Sequence, residues 1–341
     1  MESNGKVLLV NPNGMYFGPS ASVKTSSFIA STLDIADTDF LKSKYFFSLQ
    51  NKERLREIRN EGFLQASSGG CVVLMAAQVH NLGTIEAPSG NVVLAAGERV
   101  TLDFQGDRLL QFSVEGDVKG AVLEHLGSIQ AEGGQVSMRL PTAKKSIREI
   151  VNHEGMEKGE VFVQQNGEIF LVSGSSIAAR NVDIEASFLS VEGKIDVSST
   201  QKKGGTVHLS GPEIALKGAY IDASGKIGGG EVLIGGDVQG SGPIPHALFI
   251  SMDEHSQILA NATTQGDGGR VILWSRQKTE FEGKISAQGG LLQGNGGFVE
   301  TSGLEALFSR KGYVDTSAFQ GTMGEWLLDP ITTLHIVPGL T

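Results

Sequence analysis

GTIEAPSGNVVL (residues 83–94) holds the pattern on which the reading of this chain turns. Its two halves place apolar side chains at alternate positions, Ile85 and Ala87 in the first and Val92 and Leu94 in the second, as a strand with one buried face does. Both halves recur. Segments like the first are GFLQA (62–66), GSIQA (127–131), GKIDV (193–197), AYIDA (219–223), SQILA (256–260), GKISA (283–287) and GYVDT (312–316). Each is followed by a partner of the second kind: GGCVVL (69–74), GGQVSM (133–138), GGTVHL (204–209), GGEVLI (229–234), GGRVIL (268–273), GGFVET (296–301) and MGEWLL (323–328).

A unit of about twenty residues with two or three short strands is too short for a propeller blade and has the wrong period for a helical repeat. Wound into coils, such units stack like on like and bury one apolar column. The expected fold is therefore all-β, a single-stranded parallel β-helix with short extrahelical decorations. A sandwich of hairpins would need two-residue Asn-Gly or Asp-Gly turns between strands, and these are scarce. The expected core column is Ile85, Val92, Ile129, Val136, Ile195, Val207, Ile221, Val232, Val271, Ile285 and Val299, with Thr84, Glu86, Gln135 and Ser137 facing outward.

Outward from this pattern, the spacing is uneven. The first-half segments starting at 62, 83, 127 and 193 lie about one, two and three repeats apart, so unmatched coils are expected between them, one showing as GEIFL (167–171). Later corners lengthen: SSTQKKGG (198–205), NATTQGDGG (261–269) and QGGLLQGNGG (288–297). These shifts divide one expected stack into residues 1–105, 106–180 and 181–341. SLQNKERLREIRN (48–60) and AKKSIREIVN (143–152) interrupt the repeat and read as loop decorations or short helices.

Composition agrees with many turns between short strands. Gly is 46 of 341 residues, about twice the usual ~7%. With 28 basic and 38 acidic residues the formal charge is −10, diffuse acidity that argues against a nucleic-acid partner. Cys71 stands alone, which excludes an intrachain disulfide and any cysteine-based zinc spacing, and the seven histidines never fall at metal-ligand spacing. No metal, no cofactor and no catalytic residue is expected. No apolar run reaches the ~18 residues of a transmembrane segment.

Other fragments fit the array better than chemistry. GGGEVLIGG (228–236) and GDGG (266–269) lack the phosphate-loop lysine and read as corners. Asp222 with Glu231, or Asp267 with Glu300, could be paired carboxylates of a carbohydrate-active β-helix, yet outward acids alternate along the whole stack. Lys144-Lys145 and Lys202-Lys203 are isolated doublets. Asn261-Ala262-Thr263 matches a glycosylation sequon of little weight, and Trp326 is expected to pack the last coil. Near the start, Asn11-Pro12-Asn13-Gly14 is a rigid turn, with Pro12 fixing φ and Asn11 able to bond the following backbone.

In context the turn carries more. GKVLLVNPNGMYFGPSASV (5–23), the AST-x-D-I-x-D stretch at Ala30–Asp37 and the tandem N-x-G-x-I at Asn60 and Asn81 follow one another in an order that resembles the haemagglutination-activity domain of filamentous-haemagglutinin-type exoproteins of two-partner secretion. GGFVETSG, VDTSA and WLLDP (296–330) are similar to the repeats after that domain. The resemblance implies a right-handed β-helix, export to the cell surface or medium, and an outer-membrane transporter whose periplasmic domains read the N-terminal domain. In that setting Asn11, Pro12, Asn13 and Gly14 are a candidate recognition motif. It also implies an adhesin-type structural module without catalysis, for which a surface receptor or glycan on a host or neighbouring cell is a partner. Family members carry a signal peptide and further strands before this turn. Neither precedes it here, so a truncated remnant retained in the cytoplasm is the alternative expectation.

Overall fold

A computed structural model describes residues 1–51, 56–105, 109–115, 121–131, 134–140, 147–151, 168–172, 174–329 and 333–334. The chain is a parallel β-helix whose contacts divide it into two units, Met1–Ser187 and Phe188–Thr341.

In the first unit each coil has three strands. Ser27–Ser31, Glu57–Asn60 and Phe63–Ala66 make one coil, and Cys71–Ala76, Gln78–Asn81 and Thr84–Glu86 the next. Like residues meet in register: Val72 pairs with Val92 and Val92 with Val136, Ile58 with Val79, and Leu64 with Ile85 and Ile85 with Ile129. Ile85, Val92, Ile129 and Val136 are fully buried. Such stacking removes an entire column of branched side chains from water, worth about 1.5–3 kcal/mol for each one buried.

Ile85 pairs directly with Ile129, which corrects the expectation of an unmatched coil between residues 83 and 127. The surplus residues leave the coils instead. Strands Asp34–Ile35, Tyr45–Ser48, Arg99–Gln105, Leu109–Glu115 and Ile147–Val151 come from three insertions, each following the first strand of a coil, and join in a separate antiparallel sheet. The fragment read as a coil in 167–171 supplies strand Glu168–Leu171, paired with Val122–His125 as the middle side of its coil. Of the two expected loops or helices, residues 49–51 and 56 are irregular as a loop would be, whereas Ser48 and Ile147–Val151 belong to the antiparallel sheet and Glu57–Asn60 to a coil. Residues 52–55, 143–146 and 152 of those stretches, with Lys144-Lys145, lie outside the described residues.

This sheet explains why strands Cys71–Ala76 and Asn91–Ala96 are buried at every position. Val73, Met75, Val93 and Ala95 point away from the coil interior, and Leu33, Phe47, Val100, Leu102 and Val114 cover them in a second core. A run apolar on both faces marks a strand buried on both faces. Ser137, expected outward, is only 1% exposed because it continues the covered column beside Val93.

The second unit repeats the coil with different corners. Val207 pairs with Val232, Val232 with Val271 and Val271 with Val299. Ile195, Ile221, Ile258 and Ile285 form a second column, and both columns are buried. Three strands end in one device: the carboxylates of Asp196, Asp222 and Asp315 accept the backbone N–H of Ser198, Ser224 and Ser317, turning the chain into its corner. Trp326 follows Val299 in register, rests edge-on against Phe281 and donates to Thr301.

Residues 236–246 form a strap over the outer face of this unit. Val238 and Ile244 pack on Leu233, Ile272 and Trp274, Arg270 pairs with Asp237, and the Gln239 N–H donates to both oxygens of Glu300 at 3.0 and 3.3 Å. Glu300 is fully buried, and that burial pushes its carboxyl up from the ordinary range. A raised folded value means the native state holds the proton more tightly. Its stabilising contribution is therefore full below the unfolded carboxylate pKa and is lost as pH rises through the folded one. Relative to Glu300→Gln, the wild-type melting temperature should fall as pH climbs from about 4 upward. Parallel melting profiles of the two proteins across that range would refute this.

Candidate recognition surface at the NPNG corner

The turn at residues 11–14 links the first two strands, Lys6–Val10 and Met15–Phe17. The Asn11 N–H is tied to the next coil through Ser31 O, and the Gly14 N–H closes the turn on Asn11 O at 3.1 Å. The Asn11 side chain is spent internally at both ends: Oδ1 accepts from the Asn13 N–H at 3.1 Å and Nδ2 donates to Gly14 O at 3.0 Å. Gly14 takes φ +104°, and a Cβ there would touch Glu57 O at 3.4 Å. Asn11, Pro12 and Asn13 are exposed.

This arrangement redistributes the roles within the motif. Asn11 shapes the turn, Pro12 stiffens it and Gly14 permits it. Asn13 has its backbone N–H engaged and its side-chain amide, with donor and acceptor both, directed at solvent.

Beside the turn lies an open depression of about 500 Å³, lined by Asn13, Gly14, Met15, Tyr16, Arg56, Glu57 and Gln78. Its residues come from three successive coils, brought together by parallel register: Tyr16 lies beside Arg59 and Arg59 beside His80. The Tyr16 hydroxyl donates to one Glu61 oxygen and Arg59 Nε to the other, both at 2.7 Å. The bonds from Tyr16 and Arg59 hold the Glu61 carboxyl below its ordinary range, and the same bond to Glu61 pushes the Tyr16 hydroxyl up. His80 sits 3.5 Å from Glu57. Behind this face, buried Asn60 donates to Asn81 at 2.6 Å and accepts from the Gly62 N–H, so the tandem N-x-G elements form an internal amide ladder at the corner. The surface is thus polar, with its side chains fixed by bonds among themselves, and suits docking of a polar partner more than enclosure of a small molecule.

The carboxylates weighed for catalysis are engaged separately. Asp222 caps its corner and Asp267 accepts from the Asn295 N–H. Glu231 pairs with Arg270, and Glu300 lies under the strap. Among the described residues no three His, Cys, Asp or Glu side chains group as a metal site, and no helix is long and apolar enough to cross a membrane.

The profile of the TPS secretion domain matches residues 1–186. Two heme/hemopexin-binding proteins of Haemophilus influenzae are 24% identical over 236 residues and 25% identical over 257, each alignment covering 67% of this chain. The chain spans about a quarter of their length, 26% and 27%. The crystal structure of the HMW1 secretion domain from Haemophilus influenzae superposes with a TM-score of 0.71 at 29% identity, over 96% of this chain and 81% of that one.

Proposed function

This chain belongs to the TPS secretion domain family, and from that premise we propose that its first unit addresses an adhesin-type exoprotein to an outer-membrane two-partner transporter. The periplasmic domains of the transporter dock on the NPNG corner. The β-helix then reaches the cell surface or medium as a structural module, where a receptor or glycan on another cell is its partner. The observation that supports this reading is the NPNG turn itself: three of its residues project from a corner already closed by its own bonds, so Asn13 displays an amide that the fold does not use.

The test separates recognition from folding. Behind an export leader, with the transporter co-expressed, Asn13→Ala should reduce the yield in the culture supernatant severalfold while leaving the melting temperature within a few degrees. Asn11→Ser is the counterpart. Serine can accept from the Asn13 N–H but cannot also reach Gly14 O, so about 1 kcal/mol of stability is lost. Normal secretion of Asn13→Ala would reduce the motif to a corner.

A further inference from the structure

Tyr16 brings an aromatic ring to the depression beside the NPNG turn and leaves it in the open, 63% exposed. The ring is nevertheless held in place. Two residues earlier the Gly14 N–H closes the turn, and the following Phe17 rests edge-on against buried Phe28, with centroids 5.7 Å apart. The ring lies against Gly18, where a Cβ would meet Tyr16 Cε1 at 3.4 Å. Its hydroxyl donates to Glu61 at 2.7 Å, and Arg59 Nε holds the other Glu61 oxygen at the same distance. An exposed side chain is ordinarily free to change rotamer and must be ordered on binding. Here the fold has ordered it beforehand.

We propose that Tyr16 is the anchor of the docking surface, its ring entering an apolar slot on a periplasmic domain of the transporter, and that Glu61 is the positioning residue that aims it. This rests on the reading of the NPNG corner as the docking surface. Because Glu61 engages the hydroxyl proton, the ring offers a partner its carbon faces rather than a donor. Tyrosine gives a large contact area, and aromatic anchors of this kind carry much of an interface's binding energy. Around it Asn13, Arg56, Glu57 and Gln78 line the depression, supplying the polar rim that surrounds an apolar anchor. Glu61 has both oxygens turned to Tyr16 and Arg59, so its effect on a partner passes through the ring.

Titration of the full chain into the whole transporter, reconstituted in nanodiscs, tests both roles. Tyr16→Ser should weaken binding about thirtyfold or more. Tyr16→Phe keeps the ring and loses its tether, so it should cost only about fivefold. Glu61→Ala should also cost about fivefold and should add nothing in the Tyr16→Phe background, since both remove the same bond. Glu61→Gln keeps an acceptor for the hydroxyl and should bind within about twofold of wild type. Melting temperatures within a few degrees of wild type show that these surface variants fold. If Tyr16→Ser binds like wild type while Asn13→Ala binds weakly, the anchor is overturned and the corner still stands as the docking surface. If both bind like wild type, docking lies elsewhere and the two readings fall together. A loss from Glu61→Ala that persists undiminished in the Tyr16→Phe background would overturn the positioning role.

Discussion

Val207→Asp should destabilise the protein by several kcal/mol, a large share of the roughly 5–15 kcal/mol that holds a domain folded. Val207 is fully buried and lies in register against Val232. A carboxylate there is stripped of water, and its neighbours in the column are methyl groups that offer no hydrogen bond. Protonation would relieve part of the cost, so the loss should be smaller in acid. The neighbouring Thr206 supplies the control. It faces outward opposite Glu231, so Thr206→Lys places a cation beside an acid and should change stability by no more than about 0.5 kcal/mol. Chemical denaturation of the two variants measures the contrast, and similar midpoints would show the inward register to be wrong.

The second large effect is expected at a glycine with ordinary backbone angles. A Cβ on Gly229 would sit 1.9 Å from Ala260 O and 2.2 Å from Gly269 N. Neither neighbour can yield cheaply, because Gly269 N–H bonds Ala260 O at 2.6 Å to close the next coil. Gly229→Ala should therefore cost about 3 kcal/mol or more through forced separation of two coils. Gly218 is a glycine for a different reason: φ is +64° and nothing lies within 4 Å of its missing Cβ. Gly218→Ala should cost only the left-handed penalty, about 1 kcal/mol. Equal losses in thermal melts would mean that the corners are not packed backbone on backbone.

How far the sequence discloses this architecture depends on how local the signal is. The stacking of Ile195 on Ile221 and Ile285 on Ile258 is legible because successive coils repeat an isoleucine at the third position of one short segment, GKIDV, AYIDA, SQILA and GKISA. The middle strands are fainter: Gln78–Asn81 carries neither glycine doublet nor long alternation, only Val79 between polar neighbours. The antiparallel sheet left its trace where the period-two pattern fails, in Val72-Val73-Leu74-Met75, yet its strands meet across long separations, as Phe47 does with Val100. An insertion about one repeat long, between Ala96 and Val122, stretches the spacing to two repeats and imitates a missing coil, which is why the spacing misled. At the candidate recognition surface the turn is local and readable. The company it keeps is not, since Arg56, Glu57 and Gln78 arrive from other coils by register alone. Glu300 carries no hint of burial either, because an outward position is covered only by a strap that departs more than fifty residues earlier.

The two cores of the first unit are completed on different clocks. A coil closes on its immediate successor, as Leu64 does on Ile85, and short closures of this kind are fast. The covering sheet opens with Asp34–Ile35 and is finished only by Ile147–Val151. In any vectorial process, synthesis included, the early coils wind while the outer faces of Ile29, Val73 and Val93 are still bare. Those faces stay adhesive until the strands that carry Val100, Leu102 and Val114 have emerged, about eighty residues after Ile29. A chaperone with an apolar grip would have a defined interval in which to hold this chain, and the arrival of Leu109–Glu115, which brings Val114, would end it.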